Sequence, residues 1–144
     1  MSSENTQGLG FLITDVSRRL RRAFQKRMVG HSSLTLAQAR ALVYVERHRG
    51  IRQVDLAEML EVQPITLARL IDQLEEHGLV QRRSDPSDRR AYQLHPTEKA
   101  EPYTKEIFDV IEGIRQDVFE DISDAELAMV FSVLTKMRDK LSKR

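Results

Sequence analysis

The sequence contains no cysteine. That absence excludes disulfides, thiolate nucleophiles, cysteine-ligated zinc and any thiol-based redox signal, and it fits a reducing compartment. No apolar run approaches the ~20 residues that a bilayer span requires. The first ten residues, MSSENTQGLG, lack the basic flank and apolar centre of a secretory signal. A cytoplasmic protein with no membrane association is the expectation. Glycine is scarce, six residues widely scattered, which leaves no glycine-rich loop to cradle a phosphate. There is no Ser/His/Asp arrangement and no His pair at metal-ligand spacing. His31, His48, His77 and His95 read as solvated or capping residues. No catalysis, metal or cofactor is therefore expected.

What is present is an ordinary soluble composition, 40% hydrophobic and 31% charged over 144 residues, enough for one core without staples. The net charge is only +1, but its layout is uneven. Arg18, Arg19, Arg21, Arg22, Lys26 and Arg27 run without an acid among them. From Glu98 to Glu126 ten acids face three bases. Between these lies an arginine-rich stretch, Arg82 to Arg90. Such asymmetry fits a face for a polyanion and a region held away from it. Taken alone it fits two solvated helix faces equally well.

Helical periodicity dominates the chain. Leu12, Val16, Leu20 and Phe24 recur every fourth residue and predict an amphipathic helix from Gly10 to about Met28. Gly30 and His31-Ser32-Ser33 break it. Thr35 is the expected N-cap of a second helix ending near Gly50. Two short helices follow, about Arg52–Leu60 and Pro64–His77, with Pro64 suited to a first helical position and Gly78 as the stop. Residues Leu79 to His95 flank a turn-rich Ser84-Asp85-Pro86-Ser87-Asp88 and predict a β-hairpin with a charged tip. A long helix follows Thr97, and a last one follows a cap at Ser123 or Asp124. The fold class is mainly α with one small β-hairpin.

The segment Gln53 to Leu70 has helix-turn-helix spacing. Leu56, Ala57 and Leu60 line the inside of the first helix, Val62 fills the turn, and Leu67, Leu70 and Ile71 line the inside of the second. Ala57 is slim enough for two short helices to cross steeply. Glu61 stands in the turn where glycine is frequent. With the apolar side turned inward, Gln63, Thr66, Arg69 and Gln73 lie outward, with Pro64 and Ile65 at the leading end. Arginine and amides match the donor and acceptor patterns of base edges, and Thr66 with the helix N-terminus suits phosphate. A solvated helix face has the same composition. The hairpin adds Arg89 and Arg90, which a two-stranded wing can deliver into a narrow minor groove. Asp88 beside them is read as structural, pairing with a guanidinium to hold the tip.

These residues resemble the MarR family of bacterial transcription regulators, most closely its SlyA-type branch. The resemblance rests on Gln73-Leu74-Glu75-Glu76-His77-Gly78-Leu79, on Ser87-Asp88-Arg89-Arg90-Ala91, and on Thr97-Glu98-Lys99-Ala100-Glu101-Pro102. It covers about Leu9 to Leu141. The family's wing signature appears as Asp88, Arg90 and His95-Pro96-Thr97, with Pro96 where relatives usually carry leucine. The resemblance implies a winged helix-turn-helix lobe at 35–96, with dimerisation helices at 1–34 and 97–144. It also implies a homodimer whose two recognition helices enter successive major grooves of a pseudopalindromic double-stranded DNA operator. Thr66 and Arg69 match its recognition-helix contacts, and Arg89 and Arg90 match its wing-tip contacts. Gln63 and Gln73 are assigned from the helical face alone. Arg19 matches a position near the crevice where relatives hold small aromatic or phenolic effectors.

The terminal segments point to a partner subunit on their own account. Leu9, Phe11, Leu12, Ile13 and Val16 at one end, with Phe119, Ile122, Val130, Phe131 and Leu134 at the other, exceed what a small winged helix can cover. The expected function is a sequence-specific DNA-binding transcription regulator of the MarR type, a repressor where it excludes polymerase and an activator where it assists it, released by a small anionic aromatic. The competing class is a winged-helix protein-interaction adaptor, which has no need of Arg69, Arg89 and Arg90 on one side.

Overall fold

The computed structural model describes residues 3–30 and 34–142. Among these it contains six helices and three strands: α1 (Ser3–Met28), α2 (Leu36–Arg47), β1 (Ile51–Arg52), α3 (Gln53–Leu60), α4 (Pro64–Glu76), β2 (Val80–Asp85), β3 (Asp88–Pro96), α5 (Ala100–Val118) and α6 (Asp124–Ser142). The chain divides into two compact units, Met1–Val110 and Ile111–Arg144, with α5 running through the division.

The first unit is built around α2, α3 and α4, which pack on one another and on the sheet. Leu42, Val45, Leu56, Leu67, Ile71, Leu74, Leu79 and Leu94 are fully buried, each such side chain contributing roughly 1.5–3 kcal/mol relative to exposure. The C-terminal end of α1 packs on α2 and buries Phe24 and Met28. Ala100, Thr104 and Ile107 close the unit from the start of α5.

Helix ends follow their local chemistry. Thr35 Oγ1 accepts the Gln38 amide N–H at 3.2 Å while Gln38 Oε1 accepts the Thr35 N–H at 2.9 Å, a reciprocal capping box. Ser123 and Glu126 form the same box at the start of α6. The C-terminus of α4 closes with Gly78 N–H on the Glu75 carbonyl and Leu79 N–H on the Leu74 carbonyl, Gly78 lying at φ +74. The end of α3 uses the same two bonds, Glu61 to Glu58 and Val62 to Ala57, with Glu61 at φ 54 in the glycine position.

Two helix starts move, and the expected hairpin gains a third strand. Helix α1 begins at Ser3 rather than Gly10. Gly8 and Gly10 have open space where a Cβ would stand, and their propensity cost of about 1 kcal/mol each does not end the helix. The hairpin is part of a three-stranded antiparallel sheet of order β1-β3-β2, with Ile51 paired to Leu94 and Arg52 to Gln93. Arg52 therefore belongs to a strand and to the N-cap of α3, not to the helix. The expected break at His31-Ser32-Ser33 lies outside the described residues. No helix of the described residues is long and apolar enough to cross a membrane.

The second unit carries the end of α5 and all of α6. No described residue of α6 is buried. Met129, Val130, Phe131, Val133, Leu134 and Leu141 are all exposed, Phe131 at 76%.

Candidate nucleic-acid interface

The inward side of α4 is fixed by Leu67, Ile71 and Leu74, so the helical repeat turns Ile65, Thr66, Arg69 and Gln73 to solvent. Gln63 is the N-cap, and its side chain makes no capping bond. Pro64 follows at the first helical position, where its missing N–H is not needed. No acid stands in the first turn, which leaves the positive end of the helix dipole uncompensated. Gln73 is exposed yet tethered: its Oε1 accepts Gln38 Nε2 at 2.7 Å, joining α4 to the capping box of α2.

The wing lies against this helix. A cavity of about 310 Å³ is lined by Arg52, Gln53 and Val54 of the sheet and α3, Pro64 of α4, and Arg90 and Tyr92 of β3. The wing arginine and the leading end of α4 thus border one groove. Strand alternation places Arg90 on the face of Tyr92 and Leu94, and Arg89 on the opposite face. Among the described residues no ion pair engages Arg69, Arg89 or Arg90. Among the described residues nothing neutralises the charge of their guanidinium groups.

The other arginines of this region hold the structure together. Arg82, on the inward face of β2 and only 17% exposed at its side chain, reaches four partners. Its Nε donates to Gln53 Oε1 at 2.8 Å, Nη1 to Asp72 Oδ1 at 2.6 Å and to Glu75, and Nη2 to the Ala68 carbonyl at 3.1 Å. Its guanidinium also sits 6.0 Å from the Tyr92 ring centroid. One side chain thereby links the wing to both helices of the helix-turn-helix. Sequence reading grouped Arg82 with its basic neighbours. The period-2 alternation from buried Val80 was the signal that turns it inward.

The wing tip is pinned by a different carboxylate from the one expected. Asp88 Oδ1 accepts the Arg90 backbone N–H at 3.0 Å and makes no ion pair among the described residues. It shapes the tip through the main chain, not through a guanidinium. Asp85 is the buried one. Its Oδ1 accepts the Ser87 N–H at 2.8 Å and Ser87 Oγ at 2.7 Å, and its Oδ2 accepts Arg52 Nε at 2.7 Å. Arg52 Nη2 also donates to Ser87 Oγ at 3.0 Å. The Ser87 hydroxyl and amide, and then Arg52, hold the Asp85 carboxyl down to about 2, against the opposing effect of burial.

At the base of the wing Thr97 Oγ1 donates to the Gly78 carbonyl at 2.6 Å, and Thr97 N–H to the Leu79 carbonyl at 3.0 Å. The hairpin is therefore tied to the end of α4, and Pro96 before it still pairs with Val80. The His95 imidazole is held below its ordinary value by burial and by the charges of Arg83 and Arg49. Arg19 stands exposed on α1 and lines neither the wing groove nor the second cavity around Arg49, Thr97 and Glu101.

A sequence model described as the MarR family matches residues 34–92, from the end of the loop before α2 through most of the wing. The solved structure of a MarR is 30% identical, covers 94% of this chain and 91% of its own, and superposes with a TM-score of 0.81. That of the transcriptional regulator SlyA is 28% identical, covers 94% of each chain, and gives 0.84. A cysteine-to-serine mutant of MarR from E. coli, complexed with operator DNA, shares the fold at 23% identity and a TM-score of 0.83, covering 95% of this chain and 99% of its own. With a winged helix-turn-helix between terminal helices and these likenesses along nearly its whole length, the chain belongs to the MarR family of transcriptional regulators.

Proposed function

We propose that this chain binds double-stranded DNA in a sequence-specific manner as a homodimer and represses transcription by occupying promoter DNA. The observation that carries this reading is the side shared by two elements. Pro64, at the leading end of α4, and Arg90 of the wing line one groove, Thr66, Arg69 and Gln73 lie exposed on the same helix, and among the described residues no ion pair engages Arg69 or Arg90. In the docked state α4 lies in a major groove, led by Gln63 and Pro64. Arg69 and Gln73 meet base edges, Thr66 meets a phosphate, and Arg89 and Arg90 enter the adjacent minor groove. Asp88 keeps the tip in shape through the Arg90 N–H. Operator DNA bound to the E. coli MarR mutant of the same fold supports the reading.

Two exposed apolar surfaces support the homodimer. On α1, Leu9, Phe11, Leu12 and Val16 face solvent, and on α6 so do Val130, Phe131 and Leu134. Several large apolar side chains left exposed on one helix mark an interaction surface. The segments 1–34 and 97–144 are the dimerisation region in this reading. An anionic aromatic or phenolic effector, paired with Arg19, lowers DNA affinity by favouring a spacing of recognition helices that no longer matches the half-sites.

The deciding experiment is a salt titration of binding to a promoter fragment. Log affinity falls with log salt by roughly 0.9 per phosphate neutralised. Arg69→Ala relaxes sequence preference, whereas Arg89→Ala and Arg90→Ala weaken binding evenly across sequences and reduce the salt slope. Affinity indifferent to salt and to all three substitutions overturns the proposal. Salicylate that leaves DNA affinity unchanged overturns the effector.

A further inference from the structure

Ile65 is the residue of α4 that nothing in the fold explains. It is a β-branched apolar side chain, 67% exposed, in the first turn of the helix. At 3.6 residues per turn it lies about 160–120° from Leu67 and Ile71, almost opposite the buried side, and about 40° from Arg69. The outward face of α4 is therefore crowned by an apolar group with an arginine one turn behind it. Helix propensity does not favour isoleucine there, since its branched Cβ restricts χ1. The neighbouring surface has the same character: Pro64 precedes it, and Val54, 60% exposed, lines the wing groove with Pro64 and Arg90.

The floor of a major groove presents donors, acceptors and one apolar group, the C5-methyl of thymine. We infer that Ile65 is a specificity-determining residue whose side chain packs on a thymine methyl; this rests on the DNA-binding reading above. Geometry gives the position. Arg69 lies four residues along the helix, a rise of about 6 Å, which corresponds to about two base steps of roughly 3.4 Å. Each half-site then carries a thymine within about two base pairs of the guanine that Arg69 contacts.

The test uses the full chain and duplexes selected by it from random sequence. Each half-site thymine is replaced in turn by deoxyuridine, which keeps every hydrogen-bonding group and removes only the methyl. With the wild-type chain, one position per half-site loses about fourfold in affinity on demethylation, as expected for one methyl returned to water. With Ile65→Ala the thymine and deoxyuridine duplexes bind alike, and Ile65→Val retains part of the difference. Because Ile65 is exposed, its variants fold as the parent does, which thermal melting checks. If no thymine is sensitive, or if the penalty persists in Ile65→Ala, the inference is overturned while Arg69-dependent binding still stands. If no duplex is enriched at all, the DNA-binding reading falls and this inference with it.

Discussion

Helices α4 and α6 are both amphipathic, and their apolar faces meet opposite fates. Leu67, Ile71 and Leu74 of α4 are shut from solvent by α2, α3 and the sheet, and its polar face is left free. On α6 no described residue is buried, and Val130, Phe131 and Leu134 stay exposed. The difference separates two ways in which a helix answers to the hydrophobic effect. The winged helix buries Leu67, Ile71 and Leu74 against its own elements and presents Arg69 outward, with Ile65 left exposed beside it. The C-terminal helix carries apolar residues that a single chain leaves wet, and under the homodimer proposed above a second copy covers them.

The widest gap between the two helices comes from substituting each apolar face. Phe131→Glu is expected to leave the fold of the first unit intact, by circular dichroism, while sedimentation shows a monomer. Operator affinity then falls about 100-fold or more, because two half-sites are no longer held together. Leu67→Ala acts the other way. It costs about 2–5 kcal/mol of unfolding free energy through the cavity it leaves, measured by denaturant titration. If Phe131→Glu stays dimeric, the comparison between the helices breaks.

Next in size is the link between wing and recognition helix. Arg82→Met removes the donors that join β2 to Gln53, Ala68, Asp72 and Glu75. Stability is expected to drop by about 1–3 kcal/mol, since a largely buried charged hydrogen-bond donor is lost. A double-mutant cycle with Arg90→Ala separates positioning from mere stability. If Arg82 works by holding the wing in place, its substitution costs much less DNA affinity once Arg90 is already gone. Full additivity would show that Arg82 does not position the wing.

These residues show what a sequence makes legible. The core of the helix-turn-helix could be read because Leu56, Leu60, Leu67 and Ile71 recur at helical spacing, and each is buried where that spacing put it. The outward face of α4 followed as its complement. Arg82 and Asp85 could not be read in the same way. Their roles depend on partners far along the chain, Gln53 and Asp72 for one and Arg52 for the other. Alternation from Val80 gives the face on which Arg82 lies, but nothing local names its partners, or distinguishes Asp85 from Asp88, until the strands are paired. Strand β1 escaped for a related reason: two residues are too few for any periodicity, and their pairing with β3 is long-range.

The wing tip offers a pH test of the Asp85 clamp. Its folded value, about 2, lies below the roughly 3.9 of an unfolded aspartate. The unfolded chain thus takes up the proton first as pH falls. The stabilisation is fully present above about pH 4 and is lost as pH drops towards 2. Carbon-13 NMR titration of the Asp85 carboxyl should show a midpoint near 2. Ser87→Ala should raise that midpoint more than Arg52→Met does, because the hydrogen bond from the serine hydroxyl is the largest single cause, the Ser87 N–H bond being kept. The reverse order would make the ion pair, not the Asp–Ser turn, the device that shapes the tip.

The smallest expected effect concerns the two helix ends that share one hydrogen-bond pattern. After α4 the left-handed residue is Gly78, and after α3 it is Glu61. A side chain at positive φ crowds its own carbonyl, at a cost of about 1 kcal/mol that glycine avoids. Glycine also gives the unfolded chain more freedom, which takes back part of the gain. The difference leaves Glu61→Gly more stable than the parent by about 0.5 kcal/mol, a rise of about 1–2 °C in melting temperature. The opposite substitution, Gly78→Ala, should destabilise by about 0.5 kcal/mol, since it imposes at the end of α4 the strain already present at the end of α3, less the same unfolded-state offset. A melting temperature lowered by Glu61→Gly would mean that the glutamate side chain contributes more to the turn than its backbone strain costs.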